Sequence, residues 1–297
     1  MSNQANDHGS NENVHPEMHR RTVGPSEEYG QQHHDRSVAN ELIENRARIR
    51  RSTKKKSVLD CNLFYSNING FKGKSTSVKQ ILDKTNSNIV ILCETKVANA
   101  DKIKEVMSQY DIIDRCVKDG KGGMVIGARK NTFGSFISVT SSDNENILAG
   151  RITLGNKSFR IIACYAPQET DSKDFREEFF EDISIEINKS KLLLEEFIII
   201  GDLNAKLTQV DGSNIISESA NGKLLLDVIK GHSLEVLNFS DKCVGYWTHV
   251  IRTTGQASRL DYALTSTEIN KQIESMVIDE TCLICPFSLK KNKGGIV

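Results

Sequence analysis

From Ser57 onward the chain alternates short apolar runs rich in β-formers with amphipathic stretches, whereas residues 1–45 carry few apolar positions. "VLDCNLFYSNING" reads as a strand running into a loop, and "SVKQILDKT" sets Val78, Ile81 and Leu82 at helical spacing. "NIVILCET" is a continuous apolar run, which predicts a buried strand. These three segments predict a β-α-β start. Four strand-like runs follow with Gly or Asn-Asp-Ser turns between them: "GGMVIGARK", "FGSFISVTS", "ILAGRITLG" and "KSFRIIACYAP". That pattern predicts an antiparallel meander rather than repeated β-α units.

A helix is predicted from Asp174 to Leu194, then a strand and loop in "EEFIIIGDLNA". "NGKLLLDVIKGHSLEVLN" reads as a helix, a Gly-His stop and a short strand, and "VGYWTHVI" and "SRLDYALTS" as two late strands. No repeat of fixed period is present. Strands mixed with a few long helices predict an α/β sandwich with helices outside two packed sheets.

Composition narrows the class. A hydrophobic share of 38% is that of an ordinary soluble protein, and about 240 residues are enough for one sizeable core. The aliphatic runs are short and the first twenty residues are polar, so neither a membrane span nor a secretory signal is expected, and the protein reads as intracellular. The formal charge is zero but unevenly spread: −5 over residues 1–45, +7 over residues 46–56 and −2 beyond. Residues 1–56 are therefore read as a disordered polar tail ending in a basic segment. Its "RARIRRSTKKK" fits a nuclear-import or phosphate-backbone patch and equally a solvated linker. Five of the seven histidines fall in the tail at irregular spacing, as in a solvated low-complexity segment rather than a metal site. Seven cysteines are an odd number and several lie in strand-like runs, so reduced buried thiols and no disulfide-linked partner are expected. Cys282 and Cys285 form a C-x-x-C with no second pair or nearby His to complete four zinc ligands.

The chemistry concentrates at strand ends. In "FIIIGDLNA" an apolar strand delivers Asp202 and Asn204, two apart, an acceptor able to activate water and an amide able to hold a phosphate oxygen. An Asx-type turn closing the strand is the plainer reading of the same residues. "LFYSNING" ends similarly in Asn67 and Asn69, and "NIVILCETK" in Glu94, a carboxylate placed well for Mg²⁺. Three such ends would converge on one edge of a sandwich. "IIACYAP" brings Tyr165 to a strand end before Pro167, and "SRLDYALTS" places Asp261 in a late strand. Trp247, the single tryptophan, suits a core position or a nucleobase stack equally.

In order, "NING", "ETK", "YAP", "GDLNA" and "RLDYAL" resemble the motif series of the endonuclease/exonuclease/phosphatase superfamily. The match is closest to the apurinic-endonuclease-like domain of LINE-type retrotransposon endonuclease-reverse transcriptases, over residues 58–290. The resemblance implies a four-layered α/β sandwich, two packed mixed or antiparallel sheets flanked by helices, that hydrolyses phosphodiesters of DNA with Mg²⁺ or alternatively Mn²⁺. It implies Glu94 as principal metal ligand with Asn67 beside it, Tyr165 on the scissile phosphate, and Asp202 and Asn204 positioning the attacking water. It further implies Asp261 orienting a catalytic histidine, and Asn69 holds a place where repair-type members often have Asp; Asn69 and Trp247 are the candidate substrate contacts, and a nuclear location is expected. The cation would neutralise charge building on the phosphate oxygens. The family closes its catalytic set with a Ser-Asp-His on a last strand. None occurs up to Val297, and "ICPFSLKKNKGGIV" reads as the approach to that strand. The domain is therefore expected to lack its last strand. That leaves three functions open: an active or truncated endonuclease, a nucleic-acid-binding relic, and a phosphoesterase acting on a phospholipid or sugar phosphate.

Overall fold

The computed structural model describes residues 61–279, apart from 119, 211, 213 and 251–254, together with the backbone of strand 285–289. The polar tail, the basic segment 46–56 and Cys282 lie outside the described residues.

Continuous apolar runs become strands with two buried faces. β1 (Asn62–Asn67) leads through α1 (Ser75–Thr85) to β2 (Ile89–Cys93), and the two strands pair in parallel, the predicted β-α-β start. Side chains alternate along β2. Ile89, Ile91 and Cys93 enter the core between the sheets, whereas Val90 and Leu92 pack with Val78 and Leu82 of α1 and with Ile103 of α2 (Asp101–Val106). β3 (Tyr110–Arg115) and β4 (Met124–Arg129) follow, and β4 pairs antiparallel with both β2 and β3.

Here the meander is corrected. β4 joins the first sheet, and only β5 (Ser135–Ser138), β6 (Ile147–Leu154) and β7 (Lys157–Tyr165) form an antiparallel meander, in the second sheet. Burial gives the reason, since β4 is covered from Met124 to Ala128 as an inner strand requires, whereas β5 is largely exposed at an edge.

α3 (Lys173–Leu192) starts at Ser172, whose hydroxyl accepts the Phe175 N–H. It buries Phe179, Phe180, Ile183 and Ile187 against the outer face of β8 (Glu196–Asp202), which pairs in parallel with β7. A ribbon of β9 (Leu207–Val210) and β10 (Asn214–Ser217) precedes α4 (Ala220–His232), β11 (Glu235–Val236) and a 3-10 turn at Leu237–Phe239. The expected strand in "VGYWTHVI" is split into β12 (Cys243–Val244) and β13 (His249–Val250). Gly245 breaks it with φ +94, where an added Cβ would strike the Ile278 carbonyl. β14 (Ala257–Ser258) pairs with β13, and β15 (Asp261–Thr265) lies antiparallel to β8. After α5 (Thr267–Gln272) and β16 (Ile273–Val277), the segment read as the approach to a final strand is itself β17 (Cys285–Leu289), inserted between β16 and β1.

Among the described residues the first sheet runs β12-β16-β17-β1-β2-β4-β3 and the second β11-β15-β8-β7-β6-β5. Leu63, Ile91, Ile126, Ile161 and Ile200 fill the space between them. With α1 and α2 on one outer face and α3 and α4 on the other, the architecture is the expected four-layered α/β sandwich. Cys61, Cys93, Cys116, Cys164 and Cys243 are free thiols, and burial pushes Cys61 up to about 12. Among the described residues no helix is long and apolar enough to cross a membrane.

One ionic cluster is deeply buried. Arg160 of β7 pairs with Glu186 of α3 at 3.1 Å and with Glu195 at 3.2 Å, and Arg160 and Glu186 are about fully enclosed. The other Glu186 oxygen accepts the backbone N–H groups of Ser141 and Ser142. Glu186 thereby pins the loop that walls one side of the cleft described next.

Candidate active site

Sheet register brings the predicted side chains to one edge. Asn67 lies opposite Cys93, which precedes Glu94, while Asp202 lies opposite Tyr165 on one side and Asp261 on the other. At the centre is the Asn67 amide, whose Nδ2 donates to Glu94 Oε1 at 2.9 Å and to Asp202 Oδ2 at 3.0 Å. One neutral donor therefore ties the ends of β1, β2 and β8 across both sheets. The Tyr165 side chain lies beside the Glu94 carboxylate, close enough for each to act on the other's charge. Tyr65 of β1 reaches across to donate to Asp261 Oδ1 at 2.6 Å, and Thr248 Oγ1 accepts the backbone N–H of the same residue at 3.0 Å.

The backbone is strained in the same place. Asn69, Glu94, Lys96 and Asn204 have φ of 45, 52, 53 and 43°, half of the described non-glycine residues in the left-handed region. Two of them come from one local device. Asn67 Oδ1 accepts Asn69 N–H and Asp202 Oδ1 accepts Asn204 N–H, each at 3.0 Å, so the turn reading and the chemical reading describe the same residues. Asn204 Nδ2 is held by the Ala166 carbonyl at 2.7 Å. Thr95 and Lys96 are held by N–H bonds to Gly123 O and Gly122 O at 3.0 and 2.9 Å. At Gly123, φ is +84 and a Cβ would lie 2.6 Å from Thr95 Oγ1. Gly123→Ala is accordingly expected to cost about 1–3 kcal/mol, read as a lower urea midpoint, because the Glu94-Thr95-Lys96 turn must shift.

Electrostatics follow from crowding carboxylates where water is scarce. Burial, then the charge of Asp261, pushes Asp202 well above the usual carboxylate range, against hydrogen bonds from Asn204 and Asn67. Burial also raises Asp261, partly offset by Tyr65, Thr248 and the charge of His249. Glu94 goes the other way: burial would raise it, but donors on Lys96, Asn67 and Tyr165 bring it below its ordinary value. Burial and the Glu94 and Asp202 charges raise Tyr165, so its hydroxyl stays a donor.

A divalent cation fits this donor set. Three carboxylates face one another, and the one closest to solvent, Glu94, already carries the ammonium of Lys96 at 2.8 Å. Among the described residues no group of three or more His, Cys, Asp or Glu side chains could by itself hold a metal ion. Mg²⁺ needs none, because it keeps several waters and takes one or two carboxylates plus phosphate oxygens. Asn67, expected to ligate beside Glu94, has its oxygen on Asn69 N–H and its NH₂ on the two carboxylates.

Asn69 sits exposed on the rim with its side chain held by Lys96. Trp247 is 40% exposed, which excludes the core reading, and meets Tyr246 edge-on at 4.3 Å. Arg259 stacks between Tyr246 and Phe239 at 3.8 and 4.6 Å. Thr248, next to Trp247, joins this aromatic group to the carboxylates, its hydroxyl oxygen accepting the Leu260 and Asp261 N–H groups at 2.9 and 3.0 Å. His232 lies at the end of α4 against Lys191, and His249 is exposed on β13. Tyr65, Lys96 and Thr248 escaped the sequence reading. Tyr65 carried a signal, since it stands two before Asn67 and so on the same strand face.

A cleft of about 1130 Å³ opens from Glu94, Asn69 and Tyr165 toward α3, walled by the 141–146 loop. That arm is acidic: Asp143, Glu145, Asp171, Glu178 and Asp182 line it.

A search of curated proteins finds no significant match to this sequence. Solved structures share the fold at low identity. The AP endonuclease of Leishmania major is 14% identical with a TM-score of 0.64, covering 78% of this chain and 88% of that one. The endonuclease domain of a telomere-specific non-LTR retrotransposon is 14% identical with a TM-score of 0.59, covering 78% and 99%. A 3'-5' exonuclease from Neisseria meningitidis is 14% identical with a TM-score of 0.62, covering 77% and 99%. A family model matches residues 64–281, well over half of the sequence. The chain belongs to the endonuclease/exonuclease/phosphatase family.

Proposed function

We propose that this protein is a DNA endonuclease of the retrotransposon type that requires a divalent cation, Mg²⁺ or Mn²⁺. The observation that carries the reading is the Asn67 amide joining Glu94 and Asp202 at one edge of both sheets, with Tyr165 aimed at the same carboxylate. A cation bound at Glu94 would supply positive charge to the non-bridging phosphate oxygens.

The side chains divide the remaining work. Asp202 takes the proton of the attacking water, and burial beside Asp261 raises its affinity for that proton. Its two oxygens are fixed by Asn204 N–H and Asn67 Nδ2, which orients the lone pair that receives the proton. Tyr165 donates to a phosphate oxygen, and Asp261, held by Tyr65 and Thr248, adds the negative charge that keeps Asp202 basic. Asn69 contacts the strand at the rim. The exposed Tyr246-Trp247 pair offers faces for base stacking, worth about 1–3 kcal/mol per base. The acidic arm of the cleft repels a polyanion, so nucleic acid approaches over the aromatic side.

The test is a substrate panel on the full chain with Mg²⁺: a duplex oligonucleotide, a phosphoinositide in mixed micelles and a sugar phosphate. Cleavage of the oligonucleotide alone is the expected result. Turnover of either phosphomonoester without DNA cleavage would move the protein to another branch of the family. Binding of the duplex without cleavage would make it a nucleic-acid-binding relic.

A further inference from the structure

We propose that Lys96 is a built-in counter-ion that holds Glu94 while no divalent cation is present and is released toward the substrate phosphate when one binds. The inference rests on the reading of Glu94 as the carboxylate that receives the cation. Glu94 has three partners, and they differ in how freely they can leave. The Asn67 amide is locked by its further bonds to Asp202 and Asn69, and Tyr165 is a rigid side chain at the end of β7. Lys96 is the third, with Nζ at 2.8 Å from Glu94 Oε2 and 2.6 Å from Asn69 Oδ1. It alone is charged and mounted on a flexible four-carbon stem.

Charge makes occupancy exclusive, because an ammonium and a dication on the same oxygen repel each other at contact distance. Nζ would therefore be held less tightly by Glu94 with a cation bound there, and free to turn away. Where Nζ goes is limited by its backbone, which Gly122 O fixes through the Lys96 N–H at 2.9 Å. Lys96 lines the cleft mouth together with Asn69, Glu94 and Tyr165, so Nζ released from Glu94 stays beside the place a phosphate bound for cleavage would take. The side chain is 33% exposed, enough to turn outward without opening the core. Lys74, the neighbouring cation, is already committed to the carbonyls of Ile68 and Asn69.

Lys96 should thus weaken cation binding in the free protein and strengthen DNA binding once the cation is present. The experiment measures Mn²⁺ binding to the full chain by electron paramagnetic resonance, without DNA, for wild type, K96M, K96Q, K96R and E94Q. Removing the charge is expected to tighten Mn²⁺ binding roughly 2- to 5-fold in K96M and K96Q, with K96R staying near wild type and E94Q losing the site. With Mn²⁺ present, K96M should bind a non-hydrolysable phosphorothioate duplex more weakly than wild type. Unchanged or weaker Mn²⁺ binding in both neutral variants would overturn the role of Lys96 while leaving Glu94 as the cation's carboxylate. Failure of wild type to bind Mn²⁺, or equal binding by E94Q, would overturn the reading of Glu94 itself.

Discussion

Asp202→Asn is expected to stabilise the metal-free protein and to silence it. Burial and the facing Asp261 make the folded protein hold the Asp202 proton to higher pH than the unfolded chain does. As pH rises from the ordinary carboxylate range the unfolded chain releases its proton first, so the folded state loses stability on the way to neutrality. An amide of the same shape removes this loss and keeps the acceptor for Asn204 N–H, giving up only the Asn67 Nδ2 bond, a smaller contribution than the buried charge. In EDTA at pH 7–8 the variant should melt higher by about 2–4 °C for each kcal/mol regained, with the gap closing toward pH 4. Catalysis should fall about 10²-fold or more, because the base for the attacking water is gone. A variant that melts lower at neutral pH, or cleaves normally, would contradict this account of Asp202. Stability traded for activity at one residue is the pattern expected of a functional site rather than a structural one.

Glu186→Ala is expected to give the largest loss of stability, about 3–5 kcal/mol. The substitution strips Arg160 of one of its two carboxylates in a place closed to water and leaves the N–H groups of Ser141 and Ser142 without an acceptor. Glu186→Gln keeps an acceptor oxygen and should lose less. Urea unfolding reads the stability, and limited proteolysis reads the 141–146 loop, which should be cut first in the Ala variant. Wild-type stability in Glu186→Ala would mean that Glu195 alone satisfies Arg160 and that the loop has another anchor.

Inner strands were legible because their apolar runs are continuous and end abruptly in polar residues: β1, β2 and β8 each deliver a site residue as the run stops. What was missed depends on tertiary partners. α2 has six residues, and the half-buried "YDIIDR" of β3 reads as neither clean alternation nor a buried run. Sheet membership of β4 is decided by the partners it finds in β2 and β3, which no local pattern encodes. β17 was read as lead-in because its five residues gain meaning only from pairing with β1, more than two hundred positions earlier.

At the site the same division holds. Glu94, Asn67, Asp202 and Tyr165 stand at predicted strand ends, and register alone brings them together. The Tyr65–Asp261 bond spans 196 positions, and Lys96 matters only because a left-handed turn folds it back onto Glu94. Trp247 was the reverse case, a residue type suggestive of stacking whose exposure required the structure to establish.

The central claim is that Glu94 and Asp202 form one cation-dependent hydrolytic site for DNA. The most direct measurement is nicking of supercoiled plasmid by the full chain, with Mg²⁺ and with EDTA, beside Glu94→Gln and Asp202→Asn. The account predicts nicking by wild type with Mg²⁺ only, and a loss of about 10²-fold or more in each variant. Nicking that persists in EDTA or in both variants, or none by wild type with Mg²⁺, would contradict it.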